Sequence, residues 1–112
     1  MQRIDVTGLP DLPSAAAAAF HGDWLGRAQA ALDGGDLTLV FGPADHTHVG
    51  WRLAAVQMLA REHAPRRVNA VASDDPAGIA AALEYLGAAG GITGQYLPLD
   101  SAGAGAVVSS AA

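Results

Sequence analysis

The chain has no cysteine and no lysine, and all six of its basic side chains are arginines. Without cysteine there is no disulfide framework, thiolate nucleophile or cysteine metal site. Without lysine no side-chain amine is available for catalysis. Positive charge is scarce overall: the formal net charge is −5 and the pI is near 5.0, which argues against nucleic-acid binding, where clustered basic charge is needed. Aromatic residues make up 5% of the chain, so the expected core rests on close helix–sheet approach through small alanines. No apolar run reaches the roughly 20 residues of a membrane span, and Met1-Gln2-Arg3-Ile4-Asp5 has no signal-peptide core. The expectation is a soluble cytoplasmic protein that engages neither membrane nor nucleic acid.

What is present reads as one α/β domain. At 112 residues the chain can bury a modest single core. Ile4-Asp5-Val6 is a short strand stopped by Gly8, Pro10 and Pro13. Ser14 is the expected N-cap of a helix running to about Leu32, closed by Asp33-Gly34-Gly35. Leu37 to Phe41 is a nearly unbroken apolar run of β-formers, suited to a strand buried on both faces. A second helix is expected from about Asp45–Thr47 to His63, ended by Pro65. A strand follows over 67–72, then a helix capped by Ser73 or Asp74 with an apolar stripe of Ile79, Ala82, Leu83 and Leu86. The last strand is expected over 95–99, and the Ala/Gly/Ser stretch from Ala102 to Ala112 has no periodicity. The domain is therefore set at residues 1–101 and the tail at 102–112. The order β-α-β-α-β-α-β with short links predicts a mainly parallel four-stranded sheet with right-handed crossovers, in three layers.

Asp45-His46-Thr47-His48 is the densest polar cluster. It follows a buried strand, at the edge where open α/β sheets place ligands. Asp45, His46 and His48 are thus the candidate ligand-facing residues. The competing expectation is that Asp45 or Thr47 caps a helix while both histidines are exposed in its first turn. His21 and His63 are expected to serve packing and a helix C-terminus respectively. The second helix carries two apolar stripes: Val49, Leu53, Val56 and Ala60 on one side, and Trp51, Ala55 and Met58 nearly opposite. A surface helix needs one. Trp51, Ala55 and Met58 are therefore the candidate interface, unless the first helix or the tail covers Trp51.

Two phrases carry a family resemblance. Arg67-Val68-Asn69-Ala70-Val71 and Thr93-Gly94-Gln95, with a helical segment between them and a strand ending at Asp100, are similar to the last two strands of short-chain dehydrogenase/reductases. Leu59-Ala60-Arg61-Glu62-His63-Ala64-Pro65 resembles that family's Leu-Ala-x-Glu-x-Ala-Pro helix end. The resemblance implies the later half of a Rossmann-like sheet, its strands 4 to 7, and by family analogy helices that pack across a two-fold axis. It also implies positions for the catalytic groups. The tyrosine and lysine would fall near Asp45 and Val49, and the serine near Gly42-Pro43; none of these residues has the required side chain. The glycine-rich phosphate turn, the supporting asparagine of the first helix and a substrate-covering loop after Ser73 are missing as well. There is no Gly-x-Ser-x-Gly elbow. Asn69, the single asparagine, is expected to serve structure.

The function expected from these readings is a non-catalytic, short-chain-dehydrogenase-like homodimeric or accessory interaction domain without a cofactor, catalytic residue or bound metal. The alternatives are an accessory subunit that completes an oxidoreductase site with a partner chain, or a small metal- or metabolite-binding protein.

Overall fold

The computed structural model describes residues 1–99. Four strands, β1 (Gln2–Val6), β2 (Leu37–Phe41), β3 (Val68–Ala72) and β4 (Tyr96–Pro98), form one sheet in the order β1-β2-β3-β4. Every pairing is parallel. Between them lie α1 (Pro13–Asp23), α2 (Leu25–Leu32), α3 (Val49–Glu62) and α4 (Pro76–Ala88). The expected tail from Ala102 lies outside the described residues.

The sheet separates two cores of unequal size. On one face Phe20, Ala28 and Leu32 from α1 and α2, and Ala55, Val56 and Leu59 from α3, pack on Leu37, Leu39, Phe41, Val68 and Ala70. On the other, Ile79, Ala82 and Leu86 of α4 meet Val40, Val71 and Leu97. Burying each of the larger apolar side chains contributes about 1.5–3 kcal/mol. The central strands β2 and β3 are buried at every position, Thr38 and Asn69 included, as expected of strands covered on both faces. β1 alternates instead: Gln2 and Ile4 are half-buried and Val6 buried, while Arg3 and Asp5 are exposed.

The first helix departs from expectation. Residues 13–32 form two helices with a break at Trp24 (φ −116°). Gly22 and Gly26 flank the break, and glycine weakens a helix interior by nearly 1 kcal/mol relative to alanine (about 0.8–1.0). The break lets Phe20 and Leu32 both reach the sheet. Ser14 is not the cap; Pro13 opens α1 at the position where a missing N–H costs nothing, and Leu12 precedes it without a side-chain cap. The cap of α4 also shifts by one residue. Asp75 accepts from the N–H groups of Ala77 and Gly78, while Ser73 Oγ accepts from the Asp75 N–H.

Two sequence phrases form a single clamp between β3 and the turn into β4. Thr93 Oγ1 accepts the Val68 N–H at 3.0 Å. Gly94 donates its N–H to the Val68 carbonyl and holds φ +74°, a conformation that favours glycine. Asn69, fully buried, donates through Nδ2 to the Ile92 carbonyl and accepts the Gln95 N–H on Oδ1. Its role is structural as expected, but it acts at the amino end of the strands. Arg67 extends the clamp. Its guanidinium pairs with Asp36 at 3.0 Å and donates to the carbonyls of Leu86 and Ala89 at the end of α4. Its neighbour Arg66 is exposed.

Candidate functional site at the carboxyl edge of the sheet

All four strands point their carboxyl ends the same way, so the loops 7–12 and 42–45 meet at one edge. Asp45 is the N-cap of a short 3-10 turn, His46–His48, that leads into α3. Its Oδ1 accepts from both the backbone N–H and the hydroxyl of Thr47. The Thr47 hydroxyl, and then its N–H, hold the Asp45 carboxyl below the usual carboxylate range. His46 is exposed beside it.

His48 departs from the expectation of an exposed first-turn residue. It is buried at 7% exposure and borders a cavity together with Asp11 and Asp45. Its Nε2 bonds the Asp11 carbonyl at 2.8 Å, and its Nδ1 accepts from the Trp51 indole N–H at 3.0 Å. Those partners fix the tautomer: Nδ1 must be bare and Nε2 must carry the proton. Both ring nitrogens are therefore committed to the fold, and His48 ties the loop after β1 to the start of α3. Among the described residues no three histidine, aspartate or glutamate side chains converge on a metal site. His21 is exposed and bonds the Ala17 carbonyl on its own helix, and His63 flanks the C-terminus of α3.

The expected interface stripe requires a correction. Trp51 lies with its ring centroid 5.7 Å from both Phe20 and Phe41, and Ala55 is buried at 2% exposure. α1 and β2 cover this side of the helix. Met58 is half-buried. The buried face of α3 runs through Arg52, Ala55, Val56 and Leu59. The two apolar stripes of the sequence are the borders of that one face, with Val49, Trp51, Leu53 and Ala60 packed at its margins.

At the centre of the face sits a charge that sequence reasoning passed over. Arg52 is 4% exposed. Its Nη1 donates to the Gly42 carbonyl at 2.9 Å and to the Tyr96 hydroxyl at 3.0 Å. The guanidinium carbon stands 4.5 Å from the centroid of Phe41. Two cavities share it as a wall. One of ≈ 310 Å³ is lined by Val6, Thr7, Gly8, Leu9, Gly42 and Pro43. The other, ≈ 350 Å³, runs toward Asp11, Asp45 and His48. The available signal was the spacing of 52 with 55, 56 and 59, which places an arginine on an otherwise apolar stripe.

A family model for short-chain dehydrogenase-like proteins matches residues 4–99, from β1 through the strand end after β4. The chain belongs to the short-chain dehydrogenase-like family. No curated protein and no solved structure matches it. In this short-chain dehydrogenase-like chain the clamp of Val68, Asn69, Thr93 and Gly94 explains why the two phrases resembling the family occur together: each completes the other's backbone hydrogen bonds. The positions implied for a reductase's tyrosine and lysine are an exposed helix cap, Asp45, and a half-buried aliphatic residue, Val49. Pro43, near the implied serine, has neither hydroxyl nor N–H. No helix among the described residues is long and apolar enough to cross a membrane.

Proposed function

We propose that this chain is a non-catalytic member of its family that works as an interaction domain, pairing with a second copy of itself through the outer edge of β1. The observation that carries the reading is the self-complementary charge pattern on that edge. Gln2 donates its N–H to the Asp36 carbonyl and pairs in register with Leu37, so Gln2, Ile4 and Val6 turn their backbone groups to β2. The N–H and C=O of Arg3 and Asp5 then point away from the sheet. Such an edge is a template for another strand. Arg3 and Asp5 are both exposed, and form an ion pair of 2.7 Å along the strand. An antiparallel copy centred on Ile4 would set Arg3 opposite Asp5 of the second copy, and Asp5 opposite its Arg3. These are the two hydrogen-bonded positions of an antiparallel pair, where opposite charges favour association.

Among the described residues no acid, base and nucleophile are brought together at the carboxyl edge, and Asp45 and Val49 stand where the resemblance implies a reductase's tyrosine and lysine; both support the non-catalytic half of the reading. Sedimentation equilibrium tests the assembly. The wild type is expected to dimerise with a Kd on the order of tens of micromolar, typical of a small, weak interface. Asp5→Pro removes an outward N–H without touching the β1–β2 ladder, so it should give a folded monomer. A wild type that stays monomeric throughout that range would refute self-pairing.

A further inference from the structure

We infer that His48 and Trp51 form a proton-operated latch where the turn after β2 enters α3: a proton taken up on His48 Nδ1 breaks the indole bond and frees the Trp51 N–H. The inference does not depend on self-pairing at β1. Its first support is the bonding of the ring. The Trp51 indole N–H can only donate, so Nδ1, 3.0 Å away, accepts and is bare. Nε2 stands 2.8 Å from the Asp11 carbonyl, which can only accept, so Nε2 carries the ring proton. A second proton therefore has one place to go, Nδ1, where it meets the indole N–H head on. The imidazolium has two donors and no acceptor. The bond to Asp11 survives that change, and the bond to Trp51 does not.

The second support is what surrounds the ring. His48 keeps 7% of its surface exposed and lines the cavity of ≈ 350 Å³, so it is not sealed from solvent. Three charged side chains line that cavity with it: Asp11 from the loop after β1, Asp45 from its own turn and Arg52 from α3. Two carboxylates against one guanidinium leave room for a second cation there. The exposed His46 adjoins it in the turn, and on α1 His21 is bonded to the Ala17 carbonyl of its own helix. Histidine is the side chain whose charge ordinarily changes between about pH 5 and pH 8. The packing of Trp51 on Phe20 and Phe41, at 5.7 Å between centroids, involves no proton. The fold therefore persists while the bond at the head of α3 opens.

The Trp51 indole N–H in a nitrogen-labelled sample is the readout, assigned with Trp51→Phe. Its protection from solvent exchange is measured against free indole at each pH, which separates loss of the bond from a mere change in the nearby charge. Between about pH 8 and pH 5 the protection is expected to fall by roughly fivefold, the worth of one ordinary hydrogen bond. The fall should share its midpoint with the shift of the His48 ring resonances. His46→Ala should keep the transition. His48→Gln, whose amide offers a donor and an acceptor but does not titrate, should hold the protection constant. If that variant fails to fold, the wild type still decides: a common midpoint supports the latch, and separate midpoints overturn it. Constant protection in the wild type would also overturn it, as would a transition that survives in His48→Gln or vanishes in His46→Ala.

Discussion

The Trp51 indole N–H donates to Nδ1 of His48 across 3.0 Å, and the opposite nitrogen of that ring bonds the Asp11 carbonyl. A histidine that sequence reasoning set among ligand candidates is a strut between the β1 loop and α3. His48→Ala would strand an indole N–H and a backbone carbonyl in a largely buried place, at a cost of about 2 kcal/mol. His46→Ala, on the exposed side of the same turn, should stay within about 0.5 kcal/mol of wild type. Urea unfolding of the two variants checks the contrast.

The same geometry sets an expectation for metals. Zinc could engage both histidines only by taking His48 away from Asp11 or Trp51. Thermal unfolding with and without one equivalent of zinc should give the same midpoint, and dialysed protein should retain no stoichiometric transition metal by elemental analysis. A zinc-dependent rise that vanishes in His46→Ala would contradict this account.

Asn69 is the centre of the β3–β4 clamp. Asn69→Ala removes the partners of the Ile92 carbonyl and the Gln95 N–H together. Leaving two such groups unsatisfied should cost about 2–4 kcal/mol, visible as a lower urea midpoint. Hydrogen exchange should show the loss concentrated at Gln95 and its neighbours in the turn.

Acid stability should carry a small signature of Asp36. The Arg67 backbone N–H, with further help from its guanidinium, holds the Asp36 carboxyl below its ordinary value of 3.8. Because the folded value is the lower one, the contribution is fully present above about pH 4, and fades as pH falls through the folded value. The pair is partly exposed (16% and 29% for the two side chains), so the effect should be under about 1 kcal/mol. Asp36→Asn should flatten the pH dependence of the urea midpoint in that acid range.

Much of the fold was legible because period and punctuation agreed. β2 was readable as a nearly unbroken apolar run of β-formers, β3 from the Arg67-Val68-Asn69-Ala70-Val71 phrase, and α4 from its stripe of Ile79, Ala82 and Leu86. The break at Trp24 was hidden because an alanine-rich stretch reads as helix throughout, and the bend is set by what Phe20 and Leu32 must both reach. The α3 face was misread for a definite reason. Arg52 counts as polar, so one buried face with a cation at its centre reads as two apolar stripes facing apart. His48 was misplaced because a first-turn histidine is ordinarily solvated, and only the folded loop 7–12 brings the Asp11 carbonyl to it. The partner of a buried polar group lies far away in sequence, beyond what local spacing reveals.

The non-catalytic reading makes a direct biochemical statement. Calorimetric titration with either nicotinamide dinucleotide should give no binding heat, and carbonyl substrates should not be reduced. Asp45 and Val49 offer neither the phenol nor the amine that a short-chain dehydrogenase needs. Micromolar affinity for either cofactor would contradict that reading.

The central claim, that the domain works by pairing its β1 edges, is tested most directly by a charge exchange. Arg3→Asp makes the edge wholly acidic and Asp5→Arg makes it wholly basic, so each variant alone should sediment as a monomer under conditions where the wild type dimerises. Mixed in equal amounts, the two should restore the dimer, because each strand then faces its opposite. Variants that dimerise alone, or a mixture that remains monomeric, would contradict the account.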